Sequence, residues 1–396
     1  MTYWKSNYKY TPLIARFIES CFRDEVITIK DLASSLNISI SYAYYLLKKL
    51  GNDLNFTIRA QPYYEKIELK PLRCILTIES AATKNFLFEL LSKHDYTSYI
   101  TTCSGKTRGL YCEFWVPEGK EDELLMFLEL SLNYGIINDY IVRAASSLKN
   151  IILGFEWYDF SNDTWRFNWQ AFLDEVLSNI DEGTPILLEE KDNASGNAKF
   201  DNIDLIILHY MQHNVFTSLK SMAAEAKVTP QDLSYHYKNH VLKNKLVKLV
   251  RPYWIPYPLE FSLFYVMDIV FEETKALKGF IHSIQRKPIA YSYSFYKYNS
   301  YPSITLTGIL PYKEIINFMN CLDSLKDHGV VRDFAHYILD MEKSKGKALP
   351  YQCYSEELGW LYTMDYCVKE LSKFVKLTYE SGAKFTKAAE RAIESK

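Results

Sequence analysis

Two pairs of histidines have the spacing of metal ligands on one face of a helix. His209 and His213 are four positions apart, and so are His236 and His240. Side chains at this spacing lie one above the other on a helix, which is how helical ligand pairs reach one ion. No third ligand stands close to either pair in the sequence. We therefore expect ordinary histidines, and we predict neither a metal nor a cofactor.

The segment SGKTRG, from Ser104 to Gly109, is similar in composition to a phosphate-binding loop. Such loops precede a helix, whereas this segment lies between two predicted strands and is typical of a hairpin turn. The sequence contains no P-loop, no HExxH and no GxSxG motif, each of which would indicate a particular chemistry. We therefore predict that the protein is not an enzyme.

The composition is typical of an ordered, multidomain protein. The chain has 396 residues, of which 48% are hydrophobic and 24% charged, with a net charge of -2; this excludes a disordered or polybasic protein. Its seven cysteines are scattered and never in a CxxC spacing, which fits a reducing cytoplasm. No leader pattern and no apolar run of about 18 residues is found, so we expect a soluble protein that is not exported and has no membrane partner.

The sequence repeats itself. Ile29–Ser39 aligns with Leu219–Thr229 at a shift of 190, and the same shift brings QPYY at 61–64 onto RPYW at 251–254. Further on, GIINDY at 135–140 matches GVVRDF at 329–334, and Trp165 matches Trp360. Matches in the same order with a nearly constant shift indicate a duplicated unit.

Each copy predicts the same order of elements. A group of short helices comes first, and then strand, helix, two strands about a turn, helix and a last strand after a glycine. This βαββαβ order is typical of a ferredoxin-like sandwich. The fold class that we predict is α+β: two tandem units, each a winged helix-turn-helix followed by a ferredoxin-like βαββαβ domain, plus C-terminal helices.

The predicted helix-turn-helix motifs have a small residue in the first helix, Ala33 or Ala223, and apolar residues about the turn. Asn37 lies where the turn favours a left-handed residue, which asparagine tolerates, whereas Lys227 is more strained there. The recognition helices are then predicted at about Ser39–Leu50 and Thr229–Val241.

The candidate DNA-binding residues are polar, aromatic or basic and lie on or beside these helices. They are Ser39, Ser41, Tyr42, Tyr45, Lys48 and Lys49 in the first copy, and Lys220, Thr229, Gln231, Ser234, Tyr235, Lys238, Lys243, Lys245, Lys248 and Arg251 in the second. Glutamine can contact adenine, and lysine can contact guanine or phosphate. The segment 220–251 has a net charge of +5, against +2 for 30–59. We expect the segment after the second recognition helix to cross phosphates as a wing.

The motif LASSLNIS at 32–39, the hairpin GLYCEFWVP at 109–117, and the glycines Gly135 and Gly329 before the last strands resemble the Lrp/AsnC (feast/famine) regulators of archaea and bacteria. The resemblance implies a transcription regulator, here duplicated and archaeal, whose sandwich domains mediate pairing and can sense a small effector. It implies double-stranded DNA, a second copy of the chain and the transcription machinery as partners. It also implies a nucleoid-associated location in the cytoplasm.

Six segments follow from these patterns. They are a helix-turn-helix domain at 1–66, a ferredoxin-like domain at 67–150, an aromatic helical connector and linker at 151–198, a second helix-turn-helix domain at 199–256, a second ferredoxin-like domain at 257–342, and a C-terminal helical segment at 343–396. The function that we predict is sequence-specific DNA binding by a transcription regulator. Two alternatives stay open: a plasmid or viral replication initiator with tandem winged helices, and a ligand-sensing or protein-docking adaptor that does not bind DNA.

Overall fold

The helices and strands alternate along the chain in a mixed α+β structure, as the sequence predicts. The structure is a computed structural model and describes the whole chain except residues 1, 7, 24, 26, 27, 145–147, 184–197 and 381–396. The last part of the connector and linker predicted at 151–198 and the last part of the helical segment predicted at 343–396 therefore lie outside the described residues.

The described residues form helices and strands with the following bounds. The helices are α1 (Pro12–Glu19), α2 (Ile29–Ser35), α3 (Ile40–Leu54), α4 (Ala81–Lys93), α5 (Glu121–Asn133), α6 (Trp169–Glu182), α7 (Asn202–His213), α8 (Leu219–Ala226), α9 (Pro230–His236), α10 (Thr274–Ile284), α11 (Tyr312–Asp327) and α12 (Asp365–Glu380). The strands are β1 (Thr2–Lys5), β2 (Thr57–Pro62), β3 (Leu69–Thr77), β4 (Thr97–Gly105), β5 (Gly109–Pro117), β6 (Asp139–Ala144), β7 (Leu148–Asn150), β8 (Tyr158–Asp159), β9 (Thr164–Phe167), β10 (Val247–Tyr253), β11 (Ser262–Phe271), β12 (Ser292–Tyr298), β13 (Tyr301–Pro311), β14 (Val331–Leu339), β15 (Lys345–Gly346), β16 (Tyr354–Ser355) and β17 (Gly359–Trp360).

One large sheet contains strands from both halves of the chain. Its order is β6-β3-β5-β4-β14-β11-β13-β12-β7, with β15 pairing beside β4. The two halves use the same internal order, since β6-β3-β5-β4 repeats as β14-β11-β13-β12. They join where Tyr337 on β14 lies opposite Gly105 on β4. The segment 104–109 comprises the end of β4, the turn at 106–108 and the first residue of β5, which confirms the prediction of a hairpin.

This sheet curls back on itself. Five strand spacings separate β6 from β11, a path of about 24 Å in a flat sheet. Arg143 on β6 nevertheless forms an ion pair with Asp268 on β11, so the two halves of the sheet face each other. A separate apolar cluster fills part of the space between them, with members Ile75, Cys103, Tyr111, Val266, Ala335, Tyr337 and Leu339.

The helices before each half of the sheet, α1–α3 in the first half and α7–α9 in the second, are here called the helical units. They begin with capped helices, and their tight turns use left-handed residues. Asn37 has a φ of 54° and Lys227 a φ of 55°, so the positions predicted for left-handed turns are confirmed. The second unit departs from the first after His236: α3 is one helix of 15 residues, whereas α9 ends after seven and continues as a π-helix over Tyr237–Leu242. The recognition helix predicted as one element is therefore interrupted.

The strands that follow the helical units pair with each other. β10 runs antiparallel to β2, with Arg251 opposite Arg59 and Tyr253 opposite Thr57. The expected wing is thus a ladder that joins the two copies. Local pattern predicts a strand here but cannot predict its partner, because pairing depends on residues nearly 190 positions away.

The segments after each sandwich are only partly helical, which corrects the predicted connector at 151–198 and C-terminal helical segment. In the first copy the short strands β8 and β9 precede α6, and β9 pairs with β1. In the second copy β16 and β17 precede α12. Tryptophan and tyrosine favour strands, and the two-residue strands are too short to show an alternating pattern.

These segments cross over between the halves. α6 packs against α10 and α11 of the second half, and α12 packs against α4 and α5 of the first. The Trp165 indole donates to the Pro256 carbonyl at 3.2 Å, and the Trp360 indole donates to the Ile67 carbonyl at 2.8 Å. Each half thus covers helices of the other, which makes the chain an intrachain pair of interlocked units. Among the described residues, no helix is both long and apolar enough to cross a membrane.

Candidate functional site

The facing halves of the sheet enclose a polar group, here called the inter-sheet site: Arg73, Glu113, Arg143, Asp268 and Tyr296. Strand alternation places these side chains on the face opposite the helices. Arg73 on β3 is 7% exposed and Asp268 on β11 is 4% exposed. Charged residues this deeply buried are uncommon and require partners.

Arg73 connects the two halves. Its Nε donates to the Glu113 carboxylate at 3.3 Å, and its Nη1 donates to the Ser294 hydroxyl at 3.4 Å. The Tyr111 hydroxyl donates to the same carboxylate at 2.5 Å. Burial alone would lower the pKa of Arg73, but Tyr111, Glu113 and Asp268 outweigh it and raise the pKa. Arg73 therefore stays charged.

Arg143 is the second cation of the site. It forms the ion pair with Asp268 and stacks over the Tyr296 ring, 4.3 Å from the ring centroid. The Thr305 hydroxyl donates to Asp268 at 2.6 Å. The site thus holds two guanidinium groups from the first half against groups of the second half.

One donor of the site is only weakly held. The Tyr296 hydroxyl is buried and makes no hydrogen bond of good geometry among the described residues, with the Ser303 side chain as its hydrogen-bonding neighbour. Burial, and then the Asp268 carboxylate, raise the pKa of Tyr296, so the phenol keeps its proton. A buried donor that is held so weakly is available to a ligand that brings an acceptor.

This arrangement favours recognition of carboxylates. Guanidinium groups bind carboxylates through two parallel hydrogen bonds, and exclusion of water strengthens the attraction. Sequence reasoning missed these residues. The available signal was a charged residue inside an apolar strand, as in LRCIL at 72–76 and VMDIV at 266–270.

The predicted DNA-binding residues lie on or beside the helical units, except that Lys248 and Arg251 lie on β10. Most are exposed: Ser39, Ser41, Tyr42, Tyr45, Lys48, Lys220, Thr229, Gln231, Tyr235, Lys238, Lys243 and Lys245. Four are half-buried: Lys49, Ser234, Lys248 and Arg251. The hydroxyls of Ser39 and Thr229 accept backbone hydrogen bonds as N-caps of α3 and α9.

The basic segment after α9, residues 243–251, lies partly before β10 and partly within the β2–β10 ladder. Lys243 and Lys245 precede β10 and are exposed. Lys248 lies over the Tyr63 ring at 4.8 Å, and the Arg251 guanidinium donates to the Tyr253 hydroxyl at 2.8 Å. The structure therefore leaves the first two lysines facing solvent and packs the other two cations on aromatic rings.

The two histidine pairs have different surroundings. His209 Nδ1 lies 2.7 Å from the Leu349 carbonyl oxygen. His236 and His240 instead meet Asp201 and Asp204, and all four residues offer ligand atoms within 4.8 Å of one another. Sequence reasoning found this histidine pair but not the aspartates, because Asp204 lies 32 positions before His236.

Comparison with known proteins identifies the fold. No family model matches the sequence, and no curated protein matches it. The crystal structure of the siroheme decarboxylase NirDL matches 94% of this chain and 99% of its own, with 10% identity and a TM-score of 0.50. The same enzyme in co-complex with an iron-uroporphyrin III analogue matches 92% of this chain and 98% of its own, with 11% identity and a TM-score of 0.53.

These neighbours have an Lrp/AsnC-like fold, so the resemblance predicted from the sequence is supported at the level of the fold. They also correct the prediction that the protein is not an enzyme. The structures that share nearly the whole of its fold are those of an enzyme, which contradicts that prediction. The prediction rested on the absence of hydrolase and phosphate-binding motifs, and polar residues that come from separate strands, like those of the inter-sheet site, form no sequence motif.

Proposed function

We propose that this protein is an enzyme that binds a polycarboxylate tetrapyrrole between the two halves of its sheet and removes carboxyl groups from it. The observation that carries the proposal is the inter-sheet site, where the buried Arg73 and the half-buried Arg143 lie near the buried Tyr296 hydroxyl. The shared fold with the siroheme decarboxylase supports the choice of substrate class.

Decarboxylation requires groups that hold the substrate and a group that donates a proton. The arginines hold substrate carboxylates, which would replace Glu113 and Asp268 as their partners. In decarboxylation the bond to the carboxyl carbon breaks, CO₂ leaves, and the electron pair stays on the remaining carbon, which takes up a proton. The phenols of Tyr111 and Tyr296 are proton donors on this face. Arg73 and Asp268 are buried, which strengthens the charged contacts that they make.

Binding and turnover test the proposal separately. Uroporphyrin III added to the purified protein should quench its tryptophan fluorescence in a saturable way. Replacing Arg73 or Arg143 with lysine keeps the charge but removes the bidentate geometry, so binding should weaken about tenfold or more. Arg332→Ala is the matched control, because this exposed arginine pairs with Glu272 at 3.1 Å outside the site.

Turnover is measured by incubating the protein with siroheme and following the loss of CO₂ by mass spectrometry. The proposal requires products lighter by one or more CO₂, and fewer of them with R73K and R143K. It is wrong if the wild type binds no uroporphyrin III, or if both variants bind it as the wild type does.

A second candidate function is DNA binding by the helical units. We propose that these units are helix-turn-helix domains, and that the two sheet halves are ferredoxin-like domains with the boundaries predicted from the sequence. The repeated order β6-β3-β5-β4 and β14-β11-β13-β12 supports the second assignment. The exposed N-terminal turns of α3 and α9, with Ser41 and Gln231, support DNA contact.

Salt-dependent gel retardation tests this candidate. The double variant K243A/K245A removes two exposed cations and should lower the slope of log affinity against log salt by about two. Lys343→Ala is the control, because Lys343 is an exposed lysine between β14 and β15, outside the helical units. It should leave the slope unchanged. DNA binding is excluded if the wild type retards no DNA at about 50 mM salt.

A further inference from the structure

The second helical unit brings two histidines and two aspartates together where the first unit has apolar residues and a threonine. Asp201 is the N-cap of α7, as Thr11 is the N-cap of α1. The shift of 190 that relates the copies places Asp204 on Ile14, His236 on Leu46 and His240 on Leu50. Ile14, Leu46 and Leu50 are buried at 6%, 2% and 0% exposure.

We propose that Asp201, Asp204, His236 and His240 form a binding site for one Zn²⁺ ion, which ties α7 to the second recognition helix. Zinc takes four ligands from imidazole nitrogens and carboxylate oxygens. This site is separate from the inter-sheet site and does not depend on the proposed enzymatic function.

The ligand atoms lie close to the separations of a tetrahedral site. Ligands at about 2.0 to 2.2 Å from zinc lie about 3.3 to 3.6 Å apart in a tetrahedron. His236 Nδ1 lies 3.2 Å from Asp204 Oδ1 and 3.3 Å from Asp201 Oδ2, and His240 Nδ1 lies 3.0 Å from Asp204 Oδ2 and 3.9 Å from Asp201 Oδ2. All four residues offer ligand atoms within 4.8 Å of one another, so side-chain rotations would bring them to one ion.

The backbone orients the carboxylates toward the histidines. Asp201 Oδ1 accepts the backbone N–H groups of Ile203 and Asp204 at 2.9 and 3.1 Å, which leaves Oδ2 facing the histidines. The Asp204 carboxylate accepts the Asp201 N–H at 3.1 Å. These hydrogen bonds form a capping box that holds both carboxylates in place. Hydrogen bonds from neighbouring groups hold the ligands of a metal ion in the same way.

Two further observations point to a cation. The Asp204 side chain is wholly buried, and a buried carboxylate requires a compensating positive group. The groups that face it are Asp201, His236 and His240. The π-helical segment begins directly after His236 and contains His240, and π-helical insertions inside helices are frequent at functional sites. The regular α3 of the first unit lacks this feature.

Metal binding to the untagged, chelator-treated full chain tests the proposal. Zn²⁺ titrated by calorimetry should bind one ion per chain, and Co²⁺ should give the intense visible absorption of a tetrahedral site. His236→Gln, His240→Gln and Asp204→Asn should each weaken Zn²⁺ binding by about tenfold or more. The thermal midpoint of the wild type should rise with Zn²⁺, and that of H240Q should not.

Two controls keep the result interpretable. His209→Gln removes a histidine of the other pair, and binding should not change. D204I/H236L/H240L installs the apolar residues of the first copy, so it should fold without Zn²⁺ and bind none. The proposal is wrong if the chelator-treated wild type binds no stoichiometric Zn²⁺, or if H236Q and H240Q bind it as tightly as H209Q.

Discussion

Replacing Arg143 with methionine removes the cation that joins β6 to β11 while keeping much of the side-chain volume. The Asp268 side chain is 5% exposed and that of Arg143 is 19% exposed, so the carboxylate is buried and its partner is half-buried. Breaking a buried pair from one side costs about 3 to 5 kcal/mol, because the remaining charge has no compensation. Asp268 keeps the Thr305 hydroxyl at 2.6 Å, so we expect the lower end of that range, about 3 kcal/mol.

Urea unfolding followed by circular dichroism measures this loss. Adding Asp268→Asn to Arg143→Met removes the uncompensated charge and keeps an acceptor for Thr305. The double variant should therefore recover at least about 2 kcal/mol of the loss, as replacing buried ion pairs by neutral groups is often harmless. A loss below about 1 kcal/mol for R143M, with no recovery in the double variant, would refute the reasoning that the two halves of the sheet meet at this pair.

Two more predictions concern the packing of the first half. A Cβ at Gly109 would collide with the backbone carbonyl of Leu76, so Gly109→Ala should destabilise the protein by about 1 to 3 kcal/mol. Gly346→Ala is the control, because the atom nearest to its Cβ is 3.7 Å away. Thermal unfolding should show a lower midpoint for G109A and nearly no change for G346A. Burial lowers the pKa of His94, so the unfolded chain takes up a proton near pH 6.5 that the folded chain binds only at lower pH. The free energy of unfolding should thus fall as the pH drops below about 6.5, and His94→Gln should make that fall shallower. If the free energy of unfolding of His94→Gln changes with pH between 7 and 5 as that of the wild type does, His94 is not the group responsible.

Local patterns sufficed for the main elements and their order. Apolar periodicity predicts the first helices and the βαββαβ order of both copies, but neither the short strands β8, β9, β16 and β17 nor the π-helical segment. The left-handed turns at Asn37 and Lys227 follow from backbone sterics. The duplication is visible in the sequence because matched segments keep a nearly constant shift. The mixed α+β class needs no more than this information.

The candidate sites were less predictable. The exposed faces of α3 and α9 could be inferred, because each recognition helix carries its own pattern. The inter-sheet site could not, since Arg73, Arg143 and Asp268 come from three strands, and nothing local says which strands meet.

The sequence by itself determined that two similar units follow each other, each with a helical part and a βαββαβ part. Only the tertiary structure decided that β10 pairs with β2, that α6 and α12 cross to the opposite halves, and that the sheet curls until Arg143 reaches Asp268. It also decided that Asp204 meets His236 and His240. The physical reason is that helix and strand patterns arise from neighbours a few residues apart. Pairing, crossing and clustering depend on which distant surfaces bury each other.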